Sequence, residues 1–192
     1  MITATDISKH FGGQTLFEQV NLQLNPGNCY GIVGANGSGK STLLRILNDV
    51  ESPSGGTVSR QKSARLGVLE QNHFAYEHIS IIEVVMQGNK LLWDAMVEKD
   101  ALLERAHEHF DEARYVQLED IVACFDGYQH EAKAASILEG LNIPTEKHRQ
   151  PLSTLSGGYK LRVLLGKALA SDPDILFLDE PNNHLDILSI AW

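Results

Sequence analysis

The sequence has little cysteine, and its two cysteines, Cys29 and Cys124, lie far apart. They do not form a Cys-x-x-Cys pair, so neither a zinc site nor a disulfide scaffold has much support. A reduced intracellular compartment is the default interpretation of this cysteine usage. The sequence also lacks any run of about 18 apolar residues and any basic-plus-apolar leader. We therefore expect a soluble, cytoplasmic protein and no membrane partner.

Positive charge is scarce as well. The 192 residues include 16 Lys and Arg against 25 Asp and Glu, a formal net charge of −9. Residues 72–150 supply almost all of this excess, with seven basic residues against fifteen acidic ones. Because phosphate contacts need clustered Lys and Arg, we expect little direct nucleic-acid binding. The hydrophobic content of 43% is sufficient for the core of one ordinary domain.

Glycine is concentrated in residues 31–42, which read GIVGANGSGKST. The spacing Gly-x-x-x-x-Gly-Lys-Ser is that of a P-loop, whose backbone N–H groups cradle phosphates. The apolar run at 29–33 predicts a buried parallel strand before the loop, and the apolar spacing after it predicts a helix. The alternative is a flexible glycine loop between a strand and a helix. The predicted phosphate-binding residues are Gly34, Ala35, Asn36, Gly37, Ser38, Gly39, Lys40, Ser41 and Thr42.

Two residues of this loop have predicted chemical roles. Lys40 is expected to reach the β- and γ-phosphates of a nucleotide as a point charge. The Ser41 hydroxyl is expected to join the coordination of a Mg²⁺ that the nucleotide carries.

Alternating apolar and polar residues at 2–7 and 20–24 predict two half-buried antiparallel strands. Phe11 lies between them, before Gly12 and Gly13, and the residues alone leave two interpretations of it open. Its ring is either presented for stacking on a base or packed into the sheet. Short strands are also predicted at 56–58 and at 66–69.

Residues 79–141 have helical apolar spacing. Met96, Leu103 and Phe110 repeat every seven residues, which predicts two helices packed as an antiparallel hairpin. A third helix is predicted to end near residues 142–144. Another helix is predicted to begin at Ser156, Gly157 and Gly158. Its N-terminus either binds an anion or simply has Ser156 as its N-cap residue.

Four consecutive apolar residues at 175–178 predict a strand buried on both faces. Asp179 and Glu180 end it, where parallel sheets place their ligands. Asp179 is the predicted Mg²⁺ ligand, and Glu180 is the predicted general base that polarises a water for attack on the γ-phosphate.

The P-loop, the LSGG motif at 155–158 and the Asp179-Glu180 pair, in this order, resemble the ATP-binding cassette (ABC) superfamily along the whole chain. The resemblance implies an α/β fold: a P-loop NTPase of the ABC nucleotide-binding type, with an antiparallel β subdomain and a helical subdomain, truncated at the C-terminus. Residues 1–71 and 151–192 would form the ATP-binding core. Residues 72–150 would form the helical subdomain with an arm-like hairpin.

The same resemblance implies Mg²⁺-dependent hydrolysis of ATP to ADP and phosphate, with Lys40 and Glu180 as the catalytic residues. Phe11 matches the aromatic residue that stacks on adenine, and Gln71 matches the glutamine that contacts Mg²⁺ together with Ser41 and Asp179. In the family, the signature at Ser156, Gly157 and Gly158 meets the nucleotide of a second cassette, which is therefore an implied partner.

Within the superfamily, the chain is most similar to the ABC-F proteins, which lack membrane domains, carry two cassettes and act on translating ribosomes. Three stretches carry this similarity, TLFE at 15–18, YGIVGANG at 30–37 and DEPNNHLD at 179–186. Asn182 stands where the family usually has threonine. The acidity of the arm-like hairpin, near residues 89–125, argues against direct contact with RNA.

Nothing after Asp186 supplies the switch histidine of the family, and His184 is not that residue. We therefore expect a fragment of the first cassette of a longer protein, one that binds ATP but turns it over poorly alone. Two alternatives remain open: the ATPase subunit of a transporter with separate membrane subunits, and a nucleotide sensor that does not hydrolyse.

Overall fold

The computed structural model describes residues 1–61, 63–69, 74–105, 107 and 110–179. The chain divides into two compact units, Met1–Leu66 and Gly67–Trp192. The first unit contains β1 (Ile2–Phe11), β2 (Gln14–Leu24), α1 (Lys40–Leu47) and β3 (Gly55–Arg60). A short strand, β4 (Leu66–Val68), begins at the boundary. The second unit continues with α2 (Ile81–Met86), α3 (Lys90–Glu104), α4 (Glu112–Cys124), α5 (His130–Gly140), α6 (Gly157–Ala170) and β5 (Ile175–Phe177).

The first unit is built on an antiparallel sheet with strand order β2-β1-β3. The two predicted strands are confirmed and extend beyond the predicted ranges. Phe11 pairs with Gln14, so the hairpin between β1 and β2 turns on Gly12 and Gly13 alone. Their φ angles of 53° and 89° are both left-handed, as a two-residue turn that follows the strand twist requires.

A bulge at Asp6 sets which side chains of β1 are buried. Ile2 and Ala4 are buried in strict alternation, but Asp6 has a φ of 50° and the register with β2 shifts between Ala4 and Ile7. The shift turns Ile7 into the core, where its side chain is 0% exposed. Asn21 on β2 replaces the lost ladder bonds, since its Oδ1 accepts from Asp6 N at 2.9 Å and its Nδ2 donates to Asp6 Oδ1 at 2.7 Å.

The strand predicted before the P-loop is not formed. Residues 28–35 have no strand assignment, and Val33 is 96% exposed. An apolar run becomes a parallel strand only where neighbouring strands accept its backbone hydrogen bonds. Within the described part of the first unit, β1 pairs only with β2 and β3, and no strand pairs with residues 29–33.

The core of the second unit is formed around α2. Five of its six residues are buried, and its first turn has a capping box between Ser80 and Glu83. Backbone N–H groups of Ile81 and Ile82 donate to the carbonyls of Gln150 and His148, which fixes the segment before α6 against α2. Helices α5 and α6 contribute further side chains to this core, and the segments that flank them add others, among them Ile143, Leu152 and Leu155.

Helices α3 and α4 pack as the predicted hairpin, and Met96 of the predicted heptad packs against their buried contact. The buried contact is formed by Leu92 and Ala95 from α3 and by Leu118 and Val122 from α4. Leu103 and Phe110 of the predicted heptad are 46% and 41% exposed, so that part of the prediction is wrong. Helix α3 ends at Glu104, and a seven-residue repeat continues to face a partner only along one unbroken helix.

The apolar run at 175–178 forms β5, which pairs with β4. Phe177 is buried, but Leu176 and Leu178 are 37% and 38% exposed, so the predicted burial on both faces is wrong. Among the described residues β4 is the only neighbour of β5, and such a narrow sheet leaves one face of the strand uncovered.

Candidate nucleotide-binding site

The P-loop is an exposed loop that leads directly into α1. Residues 28–38 are all exposed, and the helix begins at Lys40 with Gly39 as its N-cap. Gly37 and Gly39 have φ angles of 80° and 93°, a region that residues with a side chain rarely adopt. Leu43 N donates to Gly39 O at 2.8 Å and closes the first helical turn. The loop thus presents the N-terminus of α1, where unpaired N–H groups and the helix dipole favour an anion.

The loop is folded around the ammonium group of Lys40. Lys40 Nζ donates to the carbonyl oxygens of Gly34 and Ala35, both at 3.0 Å. Ser38 N also donates to Ala35 O, at 3.2 Å. These contacts bring together the first and last parts of the predicted motif, with the Lys40 ammonium at their centre. Ser41 follows on the first turn of α1 and is exposed.

The C-terminal end of the loop lies against β2. A Cβ at Gly39 would meet Leu16 Cγ at 2.8 Å and Phe17 Cδ1 at 3.1 Å, so only glycine allows this approach. At Gly37 a Cβ would meet nothing within 4 Å. Sequence reasoning assigned Leu16 and Phe17 no part in the site. The stretch at 15–18 was singled out for its family resemblance, and only the fold shows that it forms the wall behind the loop.

Phe11 lies at the end of β1 with its ring 53% exposed. The interpretation that the ring packs into the sheet is therefore wrong, and its stacking on a base stays a prediction. Lys9, two residues earlier on the same face of the strand, places its Nζ 5.0 Å from the centre of the Phe11 ring. Sequence reasoning missed Lys9, because the predicted strand ended at residue 7 and only the observed strand extends to Phe11.

The second unit holds the remaining predicted residues that the structure describes. Ser156 is the N-cap residue of α6, but its side chain makes no capping hydrogen bond, so the simple N-cap interpretation of its hydroxyl is wrong. A Cβ at Gly157 would meet nothing within 4 Å, so the start of α6 is open, and Gly158 follows in the first turn. Asp179 is partly buried just after β5. Gln71 and Glu180 lie outside the described residues.

The described residues offer few side chains to a metal ion. They contain no group of three or more His, Cys, Asp or Glu side chains that could hold a metal ion. A Mg²⁺ ion retains several waters and takes oxygens from phosphates, so the hydroxyl and single carboxylate of the predicted set fit this ion and not an all-protein metal cage. Across the same part of the chain, no helix combines the length and apolarity needed to cross a membrane.

Comparisons with known proteins agree on one family. The profile of the family described as ABC transporter matches residues 17–183. The chain is 43% identical over 193 residues to the Bacillus subtilis protein named "Uncharacterized ABC transporter ATP-binding protein YkpA". It is also 43% identical over 195 residues to the Escherichia coli O157:H7 "Probable ATP-binding protein YbiT". Both alignments cover 100% of this chain but only 36% of the relative's length.

Solved structures share the fold at lower identity. The dimeric ATP-binding cassette MJ0796 in a post-hydrolysis state, bound to ADP and Pi, superposes with a TM-score of 0.67 at 21% identity. That superposition covers 98% of this chain and 78% of the cassette. The α/β cassette fold predicted from the motifs is thereby confirmed.

Proposed function

Because the chain belongs to the ABC transporter family of ATPase domains, we propose that it binds ATP–Mg²⁺ through residues 34–42 and supplies the groups that hydrolyse it. The observation that carries the proposal is the position of Lys40. Its ammonium lies at the N-terminus of α1, where it donates hydrogen bonds to the carbonyl oxygens of Gly34 and Ala35, both at 3.0 Å. An anion that reaches the N-terminus of α1 meets this cation and the loop amides together.

The residues of the first unit have separate tasks in binding. Exposed Phe11 offers a flat apolar face on which the adenine base stacks. The amides between Gly34 and Gly39 bind phosphate oxygens, and Lys40 exchanges its carbonyl partners for the β- and γ-phosphates. The Ser41 hydroxyl would be a ligand of the metal, and Thr42 continues the helical turn.

The residues of the second unit have the remaining tasks. Asp179 and Gln71 would hold the ion with Ser41, and bound Mg²⁺ would neutralise charge on the transferred phosphoryl group. Glu180 accepts a proton from the attacking water, while Lys40 stabilises the charge that develops on the γ-phosphate. Residues 1–71 and 151–192 would act as the ATP-binding core, and 72–150 as the helical subdomain.

The site would be completed by a second cassette. The open start of α6 at Ser156, Gly157 and Gly158 is suited to meet a γ-phosphate held by another cassette. MJ0796, which shares the fold, is described as dimeric. One chain would then supply half of each of two sites, and this chain alone would hydrolyse ATP slowly.

We place the chain among the ABC-F proteins, whose two cassettes act on the ribosome. We propose a cytoplasmic protein whose binding to the ribosome changes as the cassettes close. The motifs at 15–18, 30–37 and 179–186 and the α3–α4 hairpin in the position of an arm support this proposal. The second candidate is the ATPase subunit of a transporter, which the name of the Bacillus subtilis relative favours. Binding of the full-length protein to ribosomes in a sedimentation assay, against its recovery in membrane fractions, distinguishes the two.

Calorimetric titration with ATP–Mg²⁺ tests the nucleotide site. Lys40→Ala should weaken binding roughly 10- to 100-fold, the usual value of a charged hydrogen-bonding group. Lys90→Ala is the matched control, because Lys90 is 83% exposed on α3 and pairs only with Asp94 among the described residues. Equal affinities for the two variants would exclude the P-loop assignment.

Phosphate release by the full-length protein tests the proposed base. Glu180→Gln should bind ATP normally and stop turnover, because the amide cannot accept the proton of the attacking water. Unchanged turnover would show that another group is the base.

A further inference from the structure

Lys9 and Glu51 form a charged cluster in the first unit that no part of the proposed mechanism uses. Lys9 Nζ lies 2.7 Å from Glu51 Oε1 and donates to the carbonyl oxygen of Ser52 at 2.8 Å. The side chains of Lys9 and Glu51 are only 12% and 16% exposed. Arg45, in the last turn of α1, adds a second contact, with its Nε 3.5 Å from Glu51 Oε2.

This cluster holds a cation over the ring of Phe11. The ammonium of Lys9 lies 5.0 Å from the ring centre, within the distance at which a cation is attracted to an aromatic face. Glu51 is well suited to anchor it, since the hydrogen bond from Lys9 is the largest cause of a lowered Glu51 pKa. Two fixed oxygen partners and the ring together leave the ammonium little freedom.

We propose that Lys9 is a positioning residue for base recognition: it covers one face of Phe11, holds the ring in place and leaves the other face for the adenine of ATP. The inference rests on the proposed stacking role of Phe11. A ring that is already fixed loses less freedom when the base binds, which strengthens binding without any contact between Lys9 and the nucleotide. Base stacking on an aromatic side chain tolerates any base, so the gain applies to the base in general.

The test compares ATP with inorganic tripolyphosphate, a probe that has the phosphates but no base. Both are titrated with Mg²⁺ into the 192-residue chain by calorimetry. Lys9→Met keeps the length and apolar stem of the side chain but removes the charge. It should raise the Kd for ATP roughly three- to tenfold, as expected for loss of a partly desolvated cation–π contact. The Kd for tripolyphosphate should change by less than about twofold.

Two further variants separate positioning from a general structural role. Lys9→Arg retains the cation and should bind ATP almost as the parent does. Glu51→Gln loses the anchor and should weaken ATP binding in the same direction as Lys9→Met. Equal weakening of ATP and tripolyphosphate by Lys9→Met would show that its charge acts on the phosphates, and would overturn the proposal.

Phe11→Ala separates failure of this inference from failure of the proposed function. If Lys9 acts through the ring, adding Lys9→Met to Phe11→Ala should change ATP affinity no further. If Phe11→Ala weakens ATP but Lys9→Met does not, the positioning role is wrong and the stacking role stands. If Phe11→Ala leaves ATP affinity unchanged, the stacking role and the positioning role are both wrong.

Discussion

Gly39 offers a test of the P-loop packing through a single methyl group. Its φ of 93° is left-handed, and an added Cβ would meet Leu16 Cγ at 2.8 Å, Leu16 Cδ2 at 2.9 Å and Phe17 Cδ1 at 3.1 Å. Gly37 has a similar φ of 80°, but a Cβ there would meet nothing within 4 Å. Both glycines therefore need a left-handed backbone conformation, but only Gly39 is packed against neighbouring side chains.

The expected losses in the free energy of unfolding follow from the left-handed backbone and from the packing of the added methyl group. Alanine in the left-handed region costs about 1–2 kcal/mol, and this is the whole effect expected for Gly37→Ala. Forcing a methyl group against a packed side chain adds about 1–3 kcal/mol, so Gly39→Ala should lose about 2–5 kcal/mol. Urea unfolding followed by circular dichroism measures both free energies of unfolding.

A double variant shows whether Leu16 is the cause. Leu16→Ala removes the atoms that the new methyl group would strike, so Gly39→Ala should cost about 1–3 kcal/mol less in the Leu16→Ala background than in the parent. Strict additivity, or equal losses for Gly37→Ala and Gly39→Ala, would refute the packing of the loop against β2. Gly31→Ala is the control, because Gly31 has no positive φ and nothing within 4 Å of an added Cβ.

Three further predictions concern the second unit. Hydrogen bonds from Lys99, Tyr128 and Tyr115 lower the pKa of Glu119 from 4.5 to about 2, so its stabilising effect is present above pH 4.5 and is lost as the pH falls toward 2. Glu119→Gln should remove this part of the acid dependence in urea unfolding measured between pH 7 and pH 3. Gly88→Ala should destabilise the fold by about 1–3 kcal/mol, since its methyl group would overlap the backbone carbonyl of Lys167 in α6. Ser80→Ala should cost about 1 kcal/mol by removing the capping box of α2.

Each of these three predictions would be contradicted by one specific result. An unchanged acid profile for Glu119→Gln would mean that the carboxylate is not held by its partners in solution. For Gly88→Ala the comparison is Gly157→Ala, where an added Cβ meets nothing within 4 Å, and equal losses would contradict the close approach of Gly88 to α6. A thermal unfolding midpoint of Ser80→Ala equal to that of the parent would exclude a contribution from the cap.

Local spacing was sufficient where the physical cause is itself local. The Gly-Lys-Ser spacing of residues 34–41 predicted the loop and the helix after it, because a phosphate cradle needs left-handed glycines next to a helix N-terminus. The alternation at 2–7 and 20–24 predicted the hairpin, and Gly12-Gly13 supplied the turn that joins it. The helical apolar spacing that begins at residue 79 predicted a helix where α2 lies.

Prediction failed where a partner distant in sequence decides the outcome. The apolar run at 29–33 matched a strand, but no described strand pairs with it. The heptad of Met96, Leu103 and Phe110 matched a packing seam, but α3 ends at Glu104. At Asp6 the bulge reversed the alternation, because the Asn21 side chain supplied the missing hydrogen bonds from the neighbouring strand.

The sequence by itself determined the family, the order of the motifs and the chemical type of each candidate site residue, because these depend on side-chain identity and on spacing along the chain. The tertiary structure alone decided which groups meet: Lys40 on the Gly34 and Ala35 carbonyls, Gly39 on Leu16, and Lys9 over Phe11. Gly39 and Leu16 lie on elements far apart in the sequence, and even Lys9 and Phe11, two residues apart, meet only because β1 extends through both of them. The P-loop was therefore evident from spacing, while the wall behind it and the cation beside its proposed base site became evident only in the fold.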